Sequence, residues 1–418
     1  MINLSEHLLE RYLTKSEVDD FIEQNHDILL SAIEGRYGLQ SFLGWFSVER
    51  NTADVLMDSI EKTAERIKQE ADIFIVVGVG GSNRAAQSII DGLNKQKTSK
   101  IELIYAGDTL SSGSIYDLLQ RIEGKKVCAN IIAKNFATLE PGIAFRALRE
   151  QGEKSCKSIE FILTGSFGNG QLHELSKKHG YLFYEFPEEV GGRFSALTAV
   201  GLLPMAVMDV DIRAFKSGAL DCEHYLKKAP PVKNSAVRYA AIRFLLQKKG
   251  FLVENLACFE PHLERFSKWW LQLHGETEGK NDNAILPVIT QFSEDLHAIG
   301  QYIQQGRRFI FETLLHMMER TGVLISTSGV EDGFSYLDGK YYDTLNETVF
   351  SAVARAHSEG GIPVIKLFAS DLSEAAFGEL MYWQMFSSYM SGALMGIEPF
   401  DQEGVENYKR IMRKELEQ

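Results

Sequence analysis

Cysteine is scarce: the 418 residues contain four, Cys128, Cys156, Cys222 and Cys258, with no C-x-x-C pair among them. That excludes a disulfide framework and a cysteine-rich zinc site, and the simple reading is a reducing cytoplasm. Long apolar runs are missing too. The N-terminal "MINLSEHLLERYLTKSE" carries acids and lacks the apolar core of a signal peptide. The most apolar late stretch, "FSSYMSGALMGI", is too short to span a bilayer and is broken by serine and glycine; it reads as a buried helix. Basic residues are outnumbered, 44 Lys and Arg against 57 Asp and Glu, for a net charge of −13. This argues against non-specific binding to nucleic acid or an anionic membrane, although one basic pocket can sit inside an acidic total. Repeats and low-complexity tracts are absent. What is left is ordinary globular composition, 44% apolar and 24% charged, at a length that suggests two domains.

The pattern changes along the chain. The first 70 residues read as helices: Thr14 and Glu17 have capping-box spacing, and Val55, Leu56, Ile60, Ala64 and Ile67 form one apolar helical face. Short apolar runs follow at 73–79, 101–106, 127–133, 159–164 and 182–186, separated by helix-like or loop segments. That alternation predicts an α/β domain with a mostly parallel sheet. The Pro-Pro pair in "KKAPPVKN" marks a boundary. Strand-like runs resume at 251–258, 285–290, 309–311 and 364–368, and the tail reads as helices at 373–394 and 402–416. The expected fold is α/β: a helical segment over 1–50, α/β domains over 51–226 and 227–395, and a C-terminal helix over 396–418.

The stretch "IFIVVGVGGSNRAAQ" ends a strand-like run in glycines just before a helical pattern, a shape suited to a phosphate. Gly78, Gly80 and Gly81 do not complete G-x-G-x-x-G, because Asn83 stands where the last glycine belongs. A dinucleotide site is therefore disfavoured. Ser82 adds a hydroxyl at the helix start, able to cap the helix or hold an anion. A bare tight turn is the alternative. "AKNFATLEPG" offers Lys134, Asn135 and Thr138 ahead of another helix; two such turns can converge on one anion at a sheet's carboxyl edge, though Lys134 alone also fits a solvated surface charge.

Four charged residues sit in unusual places. Arg193 follows Gly191 and Gly192 at the mouth of an apolar helix, positioned either to meet a developing oxyanion or phosphate or to bridge two loops. Gly275 reads as the stop of an amphipathic helix containing Trp269 and Trp270, leaving Glu276 in a loop with Gly279 and Lys280 close by. Beside apolar surface that carboxylate is a candidate base; a solvated glutamate is the alternative. His297 shares a polar helical face with Glu294, Gln301 and Gln304, while Leu296, Ile299 and Ile303 share the apolar one. It reads as a surface histidine or part of a subunit interface. Behind Asp401 as N-cap, Lys409 falls on one stripe with Val405 and Met412, where a lysine must snorkel or meet a partner.

Together "GVGGS", "TLEPGIAFR", "VGGRFSALTAVGLLP", "WWLQLHGETEGK", "DLHAIGQYIQQGRRFIFET" and "GIEPFDQEGVENYK", in this order and spacing, resemble the glucose-6-phosphate isomerase family over about 72–415. The resemblance implies two SIS-type (sugar isomerase) parallel-sheet α/β domains and a homodimer whose active sites are shared between chains. It also implies no metal or cofactor, and interconversion of glucose 6-phosphate and fructose 6-phosphate. By position, Glu276 matches the family base, which moves a proton between C2 and C1 through a cis-enediol. Arg193 matches the residue that stabilises the enediolate oxygen. His297, from the neighbouring subunit, and Lys409 match residues that assist ring opening. Gln272 and Gln402 match sugar contacts. Gly81, Ser82, Lys134, Asn135, Thr138 and Gly192 match positions around the bound sugar phosphate.

The second loop departs from the family's usual "SKSGTTTEP" or "SKTFTTQE". Ala133, Asn135 and Ala137 stand where hydroxyl residues are usual, and each hydroxyl lost from a charged oxygen costs about 1.5–3 kcal/mol if nothing compensates. Arg84-Ala85 replaces the frequent Leu-Gly, and Glu398 replaces asparagine. The alternatives are an isomerase for a different phosphosugar and a non-catalytic sugar-phosphate-binding regulator. Binding alone needs neither a base nor an acid–base pair, so retention of Glu276, Arg193, His297 and Lys409 disfavours the regulator.

Overall fold

A computed structural model describes residues 1–417 except 135–137, 169, 283, 319, 328 and 330. The described residues form ten strands: β1 (Asn3–Ser5), β2 (Ile73–Val77), β3 (Glu102–Ala106), β4 (Lys126–Ala133), β5 (Ser158–Gly165), β6 (Leu182–Glu185), β7 (Val253–Cys258), β8 (Leu286–Gln291), β9 (Ile310–His316) and β10 (Val364–Phe368). They divide into two five-stranded sheets, ordered β3-β2-β4-β5-β6 and β1-β10-β9-β7-β8. Every pairing among these strands is parallel except that of β1 with β10. Helices cover both faces of a parallel sheet, so a central strand reads as continuous apolar sequence. In β2, Ile-Phe-Ile-Val-Val, all five residues are buried, and Val77 lies between Ala106 and Ile131.

One hydrophobic core runs across the Pro-Pro boundary, with Phe215 and Leu226 on one side of it and Tyr239, Trp383 and Phe386 on the other. The Ile212–Lys228 and Glu374–Met395 helices cross closely enough that a Cβ on Gly218 would lie 1.9 Å from the Ala375 carbonyl oxygen, and one on Gly378 1.9 Å from that of Phe215. The Glu374–Met395 helix absorbs most of the apolar late stretch and is buried along nearly its whole length. Among the described residues no helix is long and apolar enough to cross a membrane. The capping box at Thr14 and Glu17 forms as its spacing predicts.

Several local expectations are overturned. The first 70 residues are not all helical, because Asn3–Ser5 adds an antiparallel edge strand to the second sheet. Val55 is 84% exposed, and Met57 takes its place on the buried face of the Asp54–Glu70 helix. β9 extends well beyond 309–311: Glu312 and Thr313 interrupt the apolar run, yet both are buried, Glu312 paired with His357 and Asn255 and Thr313 with Glu254. The segment around His297 is not one helix but a 3₁₀ turn, Glu294–His297, and a short helix, Gly300–Gln305, with Ile299 exposed. Asp401 pairs with Lys280 instead of capping a helix, and the Glu406–Leu416 helix buries no residue, so the stripe through Lys409 is not a core face.

Candidate active site

Strand order reverses around β2 in the first sheet, with β3 on one side and β4 on the other. Ligands of open α/β sheets bind at such a switch point, outside the carboxyl ends of the strands. The two glycine- and lysine-bearing loops leave β2 and β4 at this edge. Gly80 has φ +58°, a conformation few side chains tolerate, and it caps the Gly81–Gly92 helix. A Cβ on Gly81 would lie 2.0 Å from the Gly192 carbonyl oxygen. Only glycine lets these two backbones meet, and the contact fixes the segment that presents Arg193. Ser82 is buried in the first turn of that helix. Asn83 donates to the Gly78 carbonyl at 2.6 Å, so the residue that breaks the dinucleotide motif holds the loop closed.

Arg193 is 1% exposed, and its guanidinium is committed on three sides. Nε donates to Thr277 Oγ1 at 2.9 Å, Nη1 to Glu276 Oε2 at 3.2 Å, and Nη2 to the Pro399 carbonyl. Burial lowers its pKa while Glu276 opposes that shift; a guanidinium still stays charged at any pH of interest. Its own carbonyl accepts from Trp269 Nε1 at 3.1 Å.

Glu276 does not sit in a loop. The Glu264–Glu278 helix runs through Gly275 and is capped by Gly279, because the packing of Trp269, Trp270, Leu273 and Thr277 outweighs one glycine's helix penalty. Oε1 accepts from Gln272 Nε2 at 2.8 Å; Oε2 accepts from Arg193 and, at 2.7 Å, from Gln402 Nε2. The two glutamines expected on the sugar thus both clamp the carboxylate. Its side chain is 31% exposed, so one face remains open. A fixed carboxylate beside a buried cation can take a proton from carbon while the cation meets the oxygen that gains charge.

The same helix turns a second carboxylate the other way. Two residues span about 200° of helix, so Glu278 points into the core. It accepts from Arg243 Nη1 at 2.6 Å and Nη2 at 2.9 Å, and His274 Nδ1 lies 2.9 Å away. Arg243 Nε donates to Glu254 at 2.6 Å, and none of these three charged groups is exposed. Burial alone would raise the Glu278 pKa; Arg243 and His274 reverse that and hold it at about 2.

The other expected residues are placed as follows. Thr138 and Lys409 line one cavity of about 200 Å³ with Glu140, Met412 and Arg413, and Lys409 pairs with Glu406 at 2.7 Å. The Lys134 ammonium is turned onto the Glu188 and Val190 carbonyls and lies 5.1 Å from the centre of the Phe42 ring, so it fixes the 186–190 loop. Burial lowers its pKa, against the opposing charges of Glu188 and Glu189. Asn135 lies outside the described residues. Gly192 has no atom within 4 Å of where a Cβ would stand. His297 is exposed, and among the described residues no hydrogen bond or ion pair joins it to Glu276 or Arg193.

The sequence did not single out Thr277 or the Pro399 carbonyl as partners of Arg193, whereas Lys280, read as close to Glu276, reaches the Glu398 carbonyl and Asp401. For the first two the signal was adjacency: Thr277 directly follows Glu276 within "GETEGK", and Pro399 precedes Gln402 in "EPFDQ". Arg84, which replaces a usual Leu, donates to the Lys268 carbonyl at 3.1 Å and ties the Gly81–Gly92 helix to the one carrying Glu276.

Comparison with known proteins converges on one family. The family described as phosphoglucose isomerase matches residues 58–418. The glucose-6-phosphate isomerase of Clostridioides difficile (strain 630) is 38% identical over 429 residues, covering 98% of this chain and 95% of that protein. That of Shouchella clausii (strain KSM-K16) is 40% identical over 386 residues, covering 89% and 85%. Among solved structures, a hypothetical protein from Thermus thermophilus superposes with a TM-score of 0.89 at 25% identity, covering 100% of both chains. A glucose-6-phosphate isomerase from Chlamydia trachomatis shares the fold with a TM-score of 0.83 at 16% identity, covering 99% and 88%. Matched over residues 58–418 and 38–40% identical to relatives across nearly all of its length, the chain belongs to the phosphoglucose isomerase family.

Proposed function

We propose that this chain interconverts glucose 6-phosphate and fructose 6-phosphate, with Glu276 as the base and Arg193 as the cation facing the enediolate oxygen. The observation that carries the assignment of roles is the 3.2 Å contact between Arg193 Nη1 and Glu276 Oε2, made by an arginine that is itself buried. After ring opening, Glu276 removes the proton from C2. The C–H electron pair becomes the C1=C2 bond, and the carbonyl pair moves onto O1, near the guanidinium. A proton passes from O2 to O1, the O2–H electron pair becomes the C2=O bond, and the C1=C2 pair takes the proton back at C1, which completes the ketose. Proton transfer in place and charge stabilisation by a buried cation account for such chemistry without a metal or cofactor.

Lys409 and His297 are the acid–base pair for ring opening in this reading. His297 comes from a second copy of the chain, supported by its exposure and its lack of ties to the Glu276 cluster among the described residues. The phosphate sits across the two loops, against Gly81, Ser82, Gly192 and Thr138, with Lys409 sharing the cavity that Thr138 lines. Lys134 acts from the second loop indirectly, through the 186–190 loop that its ammonium holds. The four cysteines are unpaired, in keeping with a cytoplasmic enzyme. A purely binding role is disfavoured by the Glu276 clamp, because a carboxylate beside the sugar phosphate repels the ligand it would bind.

The test is conversion of fructose 6-phosphate to glucose 6-phosphate by purified protein with EDTA present, read by a coupled assay. Turnover at rates typical of enzymes is expected. No turnover, with turnover on another aldose or ketose phosphate, would move the assignment to that sugar; binding without turnover on any would support the regulator.

A further inference from the structure

Both reactive groups described above are held by one short segment, residues 398–402. Its Pro399 carbonyl accepts from Arg193, and Gln402 donates to Glu276 at 2.7 Å. Its middle is anchored by packing: Phe400 is 6% exposed, its ring centre 5.7 Å from both Tyr389 and Phe194. Glu398, the departure from asparagine, accepts from the backbone N–H groups of Leu39 at 2.9 Å and Phe400 at 3.1 Å. One cation holds both ends together. The Lys280 ammonium donates to the Glu398 carbonyl and pairs with Asp401, and its side chain is only 17% exposed. Lys280 follows directly on the cap of the Glu264–Glu278 helix, so the helix carrying the base and the segment clamping it are joined at this point.

We infer that Lys280 is a positioning residue for the isomerisation: it sets the 398–402 segment so that Pro399 orients Arg193 and Gln402 orients Glu276. The inference rests on the reading of Glu276 as base. It follows from the chemistry of the contacts. The Glu398 carbonyl and the Asp401 carboxylate converge on one point, where an apolar side chain could satisfy neither, and the ammonium satisfies both. Without it, Asp401 loses its cation in a half-buried place and the segment is free to turn outward. Reacting groups displaced by about 1 Å lose roughly 10²-fold in rate. The partners of Lys280, the Glu398 carbonyl and Asp401, lie outside the phosphate loops, which leave β2 and β4.

Lys280→Met, Lys280→Arg and Asp401→Asn would be purified and assayed with fructose 6-phosphate for kcat and KM, beside Glu276→Gln and a melting curve for each. Lys280→Met is expected to lower kcat by about 10–100-fold with KM within about twofold of the parent. Lys280→Arg, which can reach both acceptors, restores most of kcat. Asp401→Asn, which keeps the carbonyl bond, loses less than Lys280→Met and in the same direction, and it serves if the methionine variant does not fold. Unchanged kcat in Lys280→Met overturns the inference. So does a loss that Lys280→Arg does not rescue, or one carried by KM, since a merely structural role predicts those. If Glu276→Gln stays active, the base assignment itself has failed; if that variant is inactive while Lys280→Met is normal, only the positioning role has.

Discussion

Replacing Glu278 by glutamine tests how the helix bearing the proposed base, Glu276, is held. The carboxylate is unexposed and accepts two hydrogen bonds from Arg243, with His274 also against it. Its pKa is held at about 2, below the ordinary 4.5. At 1.36 kcal/mol per pH unit that difference corresponds to about 3 kcal/mol of stability. Breaking a buried ion pair by removing one partner costs about 3–5 kcal/mol, which agrees. At about 2.1 cal/mol/K of unfolding entropy per residue, the loss lowers Tm by about 3–6 °C for this chain. A depressed carboxylate pKa stabilises fully above the ordinary value and progressively less as pH falls through the folded one. The gap between parent and Glu278→Gln should therefore hold from pH 7 down to about 5. It should shrink to under half at pH 3, where only about 1 kcal/mol of the carboxylate's share remains. Differential scanning calorimetry across that range reads it directly. Equal Tm at pH 7, or a gap that stays constant to pH 3, would refute the assignment of a charged, stabilising cluster.

Glu276→Gln should lower kcat by at least about 10²–10⁴-fold while leaving fructose 6-phosphate binding within a fewfold by calorimetry; near-parent turnover removes Glu276 as the base. Mixing His297→Ala with Glu276→Gln should recover up to a quarter of parental activity if each site takes its histidine from the partner, and no recovery in confirmed hybrids counts against sharing. Ala133→Ser should tighten sugar-phosphate binding by roughly tenfold, the effect of about 1.5 kcal/mol, since one hydroxyl returns to the second loop; an unchanged KM would mean the altered loop is already compensated.

Much of this molecule is legible before any coordinates. Buried parallel strands announce themselves as apolar runs, and β2 through β6 fall close to where those runs lie. Legibility fails where tertiary contacts reverse a local rule. Gly275 reads as a helix stop, yet Trp269, Trp270 and Thr277 pack the helix onward through Glu276 to Glu278. Glu312 and Thr313 hide most of β9 because buried partners satisfy them. Val405, Lys409 and Met412 share helical spacing, but none of them is buried, so that spacing marks no core face. In the proposed site, residue types and their order singled out Glu276 and Arg193 as candidates. Their mutual contact, the double clamp by Gln272 and Gln402, and the Pro399 carbonyl depend on backbone placement, which spacing does not encode. Lys134 shows the converse: a cation in the expected position whose ammonium is engaged by two loop carbonyls.

The edge strand at residues 3–5 has a bearing on biosynthesis. Among the described strands β1 pairs with β10 alone, some 360 residues later, and the Met1 ammonium meets Glu379 at 3.0 Å. At about 5–20 residues per second on the ribosome, those first residues wait roughly 20–70 s for their partner. The first sheet, built from residues 73–185, can form in that interval. Residues 3–5 thus join the second sheet only after β10 has been made, and Ile2, buried in the folded chain, waits with them.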